Sequence, residues 1–332
     1  MPLLRINARD GMLTLHRGAT PVPDAVRATR AAPGPAIIMI HGYKYAPESI
    51  NHCPHKKIFR DSAHGWPASL GYNTGLPEEG LGIAFGWYAR GPLAQVHRRA
   101  ADLGRALAQL VEALKSAAPK RPVHIIAHSM GVEIALSALG HLPSQAVQRM
   151  VLLTGASFTS HAEAMLRTQA GRSAEVFNIT SRENDLFDLA FERMVAAPGG
   201  QDRAIGLGID LPNVVNLQLD CPDTLSCLAT LGLPLAPPER RVCHWSSYRR
   251  PGVMALYARL LRDPHGLPQT QLAKLLPDTP EPRWSRLVRP SAQALPNGFG
   301  ASALAAAAQV LRTRIGLFQT ASTGVKPKEP AY

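Results

Sequence analysis

A serine set between small residues is the feature of this sequence readiest to do chemistry. In Ala127-His128-Ser129-Met130-Gly131 an apolar run from Val123 leads into the serine, and a helical pattern starts straight after it. A strand that turns sharply into a helix holds its serine on strained backbone, and the residues two positions to either side must be small to fit the corner. Gly131 meets that demand, and Ala127 departs from it by a single methyl. The corner lifts the hydroxyl above the sheet edge and aims the Met130 amide at the same point. Ser129 is therefore read as a nucleophile. A second strand-to-serine segment, Met150 to Thr154 followed by Gly155-Ala156-Ser157-Phe158-Thr159, is read as a decoy. β-Branched Thr159 would crowd its turn, and no helical pattern clearly begins there.

A serine hydroxyl attacks only when a base takes its proton, and the base must be held by a third group, normally a carboxylate. On a nucleophile elbow these follow the serine in the order acid, then histidine. Of the twelve histidines only His244 and His265 lie after candidate acids. His265 falls in the turn Asp263-Pro264-His265-Gly266 at the far end of a helix. His244 lies on a short loop just ahead of that helix, where an imidazole can swing over the carboxyl edge of a sheet, so His244 is the expected base. His128 adjoins Ser129, but neighbouring side chains leave a strand in different directions, and it is expected to pack beside the corner. The acid is sought after the strand Val176–Thr180, in Ser181-Arg182-Glu183-Asn184-Asp185-Leu186-Phe187-Asp188. Glu183, Asp185, Asp188 and Glu192 all stand there. Asp185, just before an apolar helical run, is the first choice, with Glu183 and Asp188 as competitors; Asp188 also suits a first helical turn, where it meets the helix dipole. Two amides are needed for the oxyanion, each lowering the barrier by roughly 3 kcal/mol. Met130 supplies one. His41-Gly42-Tyr43 supplies the other, Gly42 letting the backbone approach and Tyr43 presenting its N–H.

These residues need a frame. Leu3–Asn7 and Met12–His16 flank Asp10-Gly11, a hairpin signal. Ala36–Ile40, Leu81–Trp87, Val123–Ala127 and Met150–Leu153 are continuous apolar runs, as strands covered on both faces require. Val176–Thr180 and Val214–Leu219 follow as later strands. Leu93, Val96, Ala100, Leu103, Leu107, Leu110 and Leu114 form one helical stripe. Gly140 closes the helix after Ser129, and Pro251 opens another that carries Val253, Leu256, Tyr257, Leu260 and Leu261. Strands alternating with helices predict an α/β protein with a mostly parallel central sheet and helices on both faces. The chain divides into a catalytic domain over 1–265, with a loop or cap region at about 44–80, and a Pro-rich, basic extension over 266–332. Within the extension, Leu304, Ala308, Leu311, Ile315 and Phe318 could line one helix face beside Arg312 and Arg314, suited to docking on the domain or a sister subunit.

With Ile40-His41-Gly42-Tyr43, Ala127-His128-Ser129-Met130-Gly131, Asp185 and His244 in view, residues 30 to 262 resemble the α/β-hydrolase superfamily, in its lipase and esterase-like branch. The resemblance implies a Ser129–His244–Asp185 triad, an acyl-serine intermediate formed from a carboxylic ester and hydrolysed by water, and neither metal nor organic cofactor. The single glycine before Tyr43, in place of a three-glycine run, resembles hydrolases that take longer acyl chains. Peptidases, amidases, lactonases and thioesterases share the fold, and a non-catalytic member is the contrasting expectation.

Composition sets outer bounds. The 332 residues suffice for a large core, and 45% hydrophobic with 18% charged residues describes a folded chain. No apolar run reaches the roughly 18–20 residues of a membrane span, and the N-terminus shows no secretory pattern. The four cysteines, Cys53, Cys221, Cys227 and Cys243, are expected as reduced thiols, and the location expected is cytoplasmic. A net charge of +12 favours acidic partners, yet arginines are spread singly with no nucleic-acid motif, so no specific nucleic-acid binding is expected. The extension over 266–332, with eight Lys/Arg against three Asp/Glu, could give weak contact with an anionic membrane. His52, Cys53, His55, Asp61 and His64 are zinc-binding residue types, but their spacings match no closed site. The segment is expected to cover the active site instead.

Overall fold

The computed structural model describes residues 3–75, 77–277 and 280–288. Met1–Arg283 form one compact unit, and beyond it the described part is Trp284–Val288, which carries the helical turn Ser285–Val288. The apolar face read at Leu304, Ala308, Leu311, Ile315 and Phe318 lies outside the described residues.

The first unit is built on an eight-stranded sheet. Its strands are β1 (Leu3–Arg9), β2 (Met12–Leu15), β3 (Ala36–Ile40), β4 (Leu81–Trp87), β5 (Val123–His128), β6 (Arg149–Leu153), β7 (Glu175–Thr180) and β8 (Val214–Gln218), in the order β2-β1-β4-β3-β5-β6-β7-β8. Every neighbouring pair is parallel except β1 with β2. That one antiparallel pair turns at Asp10 and Gly11, whose φ values of 50° and 79° fit the mirror-image two-residue turn that hairpins prefer.

Each inner strand alternates between two cores, as the two-residue period of a strand dictates. Ile38 and Ile40 of β3, Ile125 and Ala127 of β5, and Met150 and Leu152 of β6 enter one core, under the helices Val22–Ala28, Leu93–Asp102, Gly104–Ala117 and Gly131–Leu139. Ile37, Met39, Ile126, Val151 and Leu153 enter the other, under Val253–Arg262 and Gln269–Leu275. Burial on both faces explains why these strands read as unbroken apolar runs.

Two expectations change here. The stripe from Leu93 to Leu114 is two helices, not one, because Leu103 flattens to ψ −9° and lets the second helix turn onto Gly131–Leu139. Gly104 permits that contact, since a Cβ there would lie 2.6 Å from Ser137 Cβ. The segment 44–80 is not wholly irregular. It contains the short helices Pro54–Lys57 and Trp66–Ser69, and Phe59, Trp66, Leu70 and Tyr72 fill the second core. These four side chains are thus spent on burial against one face of the sheet, while Ile50 stays exposed.

The chain runs from β3 to one side of the sheet, to β4, and from β5 to the other side, to β6. Where strand order reverses in an open parallel sheet, the loops beyond the carboxyl ends part and leave a crevice. His41-Gly42 leaves β3 and Ser129 leaves β5 at that reversal. No described helix is long and apolar enough to cross a membrane.

Candidate active site

Ser129 has φ +54°, the left-handed region that costs an L-residue roughly 1–2 kcal/mol. Its neighbours hold it there. The Ser129 amide donates to Leu153 O (3.0 Å), and its carbonyl accepts from Val132 N (3.0 Å) and Ala156 N (3.1 Å). A Cβ on Gly131 would fall 2.5 Å from His41 O, and one on Gly42 would fall 2.8 Å from Ser129 Cβ. The small residues therefore serve the approach of the β3 loop to the corner. Ala127 is fully buried, and pairs across the sheet with Ile40 and Leu152. Met130 caps the helix Gly131–Leu139. Ser129 is only 4% exposed, so the hydroxyl is recessed instead of standing proud of the edge. A helix does begin at Thr159 after the decoy serine, but Ser157 is fully buried, its carbonyl accepting from Ile205 N (3.1 Å).

His41 fixes the β3 loop. Its Nε2 accepts from Trp87 N (3.0 Å), so the proton sits on Nδ1, which donates to Gly42 O (2.8 Å). Trp87 Nε1 donates to His41 O (2.9 Å) and closes the clamp. The Gly42 carbonyl and the Tyr43 amide belong to one trans peptide and point opposite ways. Clamping the first therefore aims the second. Burial pushes the His41 pKa down to about 3, which keeps the ring neutral and the clamp intact across ordinary pH.

His244 arrives beside the elbow. His128 Nε2–H donates to His244 O (3.2 Å), and the two rings lie 4.7 Å apart. Burial lowers the His128 pKa to about 4, so this ring too is neutral. The loop is pinned further by Cys243 N to Glu183 O (2.9 Å), Tyr257 OH to Ser247 O (2.6 Å) and Thr154 Oγ1 with Ser247 Oγ (3.2 Å). Phe187 stacks on His244 at 4.7 Å. Burial, then the neighbouring His128, hold the His244 pKa well below its ordinary value. His244 Nδ1–H donates to Asn184 Oδ1 at 2.6 Å, which leaves Nε2 as the basic nitrogen. Ser129 Oγ makes no hydrogen bond among the described residues.

The four carboxylates behind the loop have separate partners. Asp185 opens the helix Asp185–Met194 and lies 3.3 Å from Arg182 Nη1. Glu183 pairs with Arg250, and Glu192 with Arg283 at 3.1 Å. Asp188 accepts from Asn184 Nδ2 at 2.8 Å, and burial raises its pKa to about 7. The side chain on His244 is thus the amide of Asn184 in place of the expected Asp185. Nothing local marks Asn184 for this role, since it is uncharged and stands among the carboxylates Glu183, Asp185 and Asp188.

The remaining expectations fall away from this site. Arg149, at the amino end of β6, donates to Leu260 O (2.6 Å) and Pro264 O (3.2 Å), which places the turn bearing His265 at the opposite end of the sheet. Asp61 pairs with Arg5 (2.5 Å), and His55 bonds Asn7 (2.8 Å). Cys53 lies 3.9 Å from His16, and no group of three or more metal-ligating side chains comes together among the described residues. All four cysteines are free.

Residues 28–164 match the model of a family described as alpha/beta hydrolase of unknown function. The match spans His41, Gly42 and Ser129 and stops short of Asn184 and His244. Among solved structures, the product of the gene lin2722 from Listeria innocua aligns with 69% of this chain and 94% of its own, at 14% identity and a TM-score of 0.38. No curated protein matches.

Proposed function

We propose that this chain, a member of the α/β-hydrolase superfamily, is a serine hydrolase that cleaves carboxylic esters of small molecules through an acyl-serine. The observation that carries the reading is the left-handed Ser129 at the end of β5, with Gly42 pressed against its Cβ and His244 fastened to the adjoining His128. With Nδ1 committed to Asn184, His244 has one nitrogen free to act as base. In this reading Ser129 Oγ meets that nitrogen only when a substrate enters, as such contacts are often open in the empty enzyme.

The chemistry then runs in two halves. His244 Nε2 takes the proton as Ser129 Oγ bonds to the substrate carbonyl carbon, and the carbonyl electron pair moves onto oxygen. Met130 N–H and Tyr43 N–H receive the oxyanion. As the carbonyl re-forms, the ester C–O bond breaks, and the imidazolium returns its proton to the departing alkoxide. Water repeats the sequence on the acyl-serine, releasing the acid and restoring Ser129. The depressed pKa of His244 suits a base that is already neutral in mildly acidic solution. Four free thiols fit a reducing compartment, in keeping with a cytoplasmic location.

A panel of p-nitrophenyl esters of graded chain length, run beside matched amides and lactones, tests the reading. Ester turnover that disappears in Ser129→Ala is the expected outcome. Ester turnover unchanged by that substitution would overturn it.

A further inference from the structure

Behind His244 the buried side chains form a line. Asn184 is 2% exposed and Asp188 5%. The carboxamide of Asn184 turns its oxygen to His244 Nδ1–H (2.6 Å) and its nitrogen to Asp188 Oδ1 (2.8 Å). With His244 protonated on Nδ1 and Asp188 ionised, this orientation alone satisfies both contacts, because an imidazole N–H needs an acceptor and a carboxylate oxygen needs a donor. We propose that Asp188 is the acid of this site, acting on His244 through the side-chain amide of Asn184, so that both are positioning residues for the base. This rests on the Ser129–His244 reading above.

Three further features support the relay. Asn184 and Asp188 stand four residues apart at the start of one helix, which fixes their side chains on the same face. Gly206 closes the far side, for a Cβ there would lie 2.1 Å from Asp188 Oδ2. Asp188 makes no ion pair among the described residues, and its side-chain hydrogen bond there is the one to Asn184, so the amide is its direct contact on the way to His244. A buried carboxyl without a cation in contact opposes folding when ionised, which would be odd for a residue that served only to satisfy an amide. The imidazolium that forms during attack draws on this charge across two hydrogen bonds and one polarised amide, each bond strengthening the next. The charged groups facing Asp188 are Arg182 and Arg283, which favour its ionised form, and Asp185 and Glu192, which oppose it. His244 faces His128.

The test is the second-order rate of labelling by a fluorophosphonate probe, measured from pH 5 to pH 9 for wild type, Asp188→Asn, Asn184→Ala and Asn184→Asp. A unit charge on the order of 7 Å from the imidazolium, at an effective dielectric constant of about 20, corresponds to a roughly ten- to fiftyfold gain in rate. Wild type should therefore show, beyond the limb of His244 itself, a second rise centred near pH 7, where Asp188 ionises. Asp188→Asn should lose that second rise, labelling about ten- to fiftyfold more slowly at pH 8.5 and within about twofold of wild type at pH 5.5. Asn184→Ala should be slow throughout, and Asn184→Asp should recover most of the rate with a displaced profile. If any variant folds poorly, the His244 Nδ1 proton resonance in Ser129→Ala protein supplies the second measurement, and it should titrate with the same midpoint. A wild type that labels well while Asp188→Asn keeps its whole pH profile would overturn the relay and leave the hydrolase reading standing. A wild type that fails to label would remove both.

Discussion

Asp188→Asn should make this protein more stable above neutral pH while slowing it. Burial raises the Asp188 pKa from 3.8 to about 7, with Arg182 only partly offsetting the loss of hydration. A carboxyl whose folded pKa lies above its unfolded value favours folding while protonated. That contribution is complete below about pH 4 and is lost as pH rises toward 7. Three pKa units correspond to about 4 kcal/mol, so ionised Asp188 costs the folded state on the order of 4 kcal/mol above pH 7. An asparagine keeps an acceptor for Asn184 Nδ2 and has no such charge. Urea unfolding at intervals from pH 4.5 to pH 8.5 measures the effect as a midpoint shift at constant slope. The two proteins should be nearly equal at the acid end, and the variant should gain steadily to a plateau above pH 7, equivalent to roughly 10 °C in melting temperature. A gap that does not change with pH, or a variant less stable at pH 8, would show that Asp188 carries no such cost. Asp188 would then be an ordinary ionised carboxylate held by Arg182.

Three other substitutions probe the corner and its support. Ser129→Gly relieves a left-handed residue and should exceed Ser129→Ala in stability by about 0.5–1 kcal/mol, once the extra freedom of unfolded glycine is subtracted; equal denaturation midpoints would mean that the corner is not strained. Gly42→Ala places a methyl 2.8 Å from Ser129 Cβ and 3.0 Å from His128 Nδ1. It should cost about 1–3 kcal/mol of stability and about a hundredfold in probe labelling, and a fully active variant would contradict the packing. Glu133, buried in the first turn after the elbow, faces His97 (3.4 Å) and His161 (3.2 Å). Burial pushes its pKa up, but the two histidines beside it more than offset that, leaving it lowered from 4.5. A depressed carboxylate stabilises above its unfolded pKa and loses this as pH falls through its folded pKa. Glu133→Gln should thus be less stable at pH 7 by about 1–3 kcal/mol, with the gap closing below pH 4.5; a gap that persists in acid would count against an ionised Glu133.

Much of the frame is legible in the residues. β3, β5 and β6 announce themselves because burial on both faces forces apolar runs, and the corner announces itself because only small residues fit at 127, 131 and 42. What escapes is what depends on distance in space. Nothing local marks Leu103 as a break, since it continues the apolar stripe, and the second helix turns only because Gly104 can lie on Ser137. Phe59, Trp66 and Tyr72 sit in a stretch of histidines, prolines and glycines that hides their role in the second core. Asn184 and Asp188 were in plain sight within Arg182–Asp188, yet their order along the line to His244 follows from the pitch of the helix that begins between them. His128 was expected beside the corner and is found there, but its hydrogen bond to the His244 carbonyl joins residues 116 apart in sequence.

The most direct measurement is mass-spectrometric mapping of the fluorophosphonate adduct on the intact chain. A single phosphonylated serine at position 129, formed faster as His244 loses its proton and absent from His244→Ala at matched exposure, is the expected outcome. An adduct on any other residue, or labelling at 129 that proceeds at the same rate without His244, would contradict it.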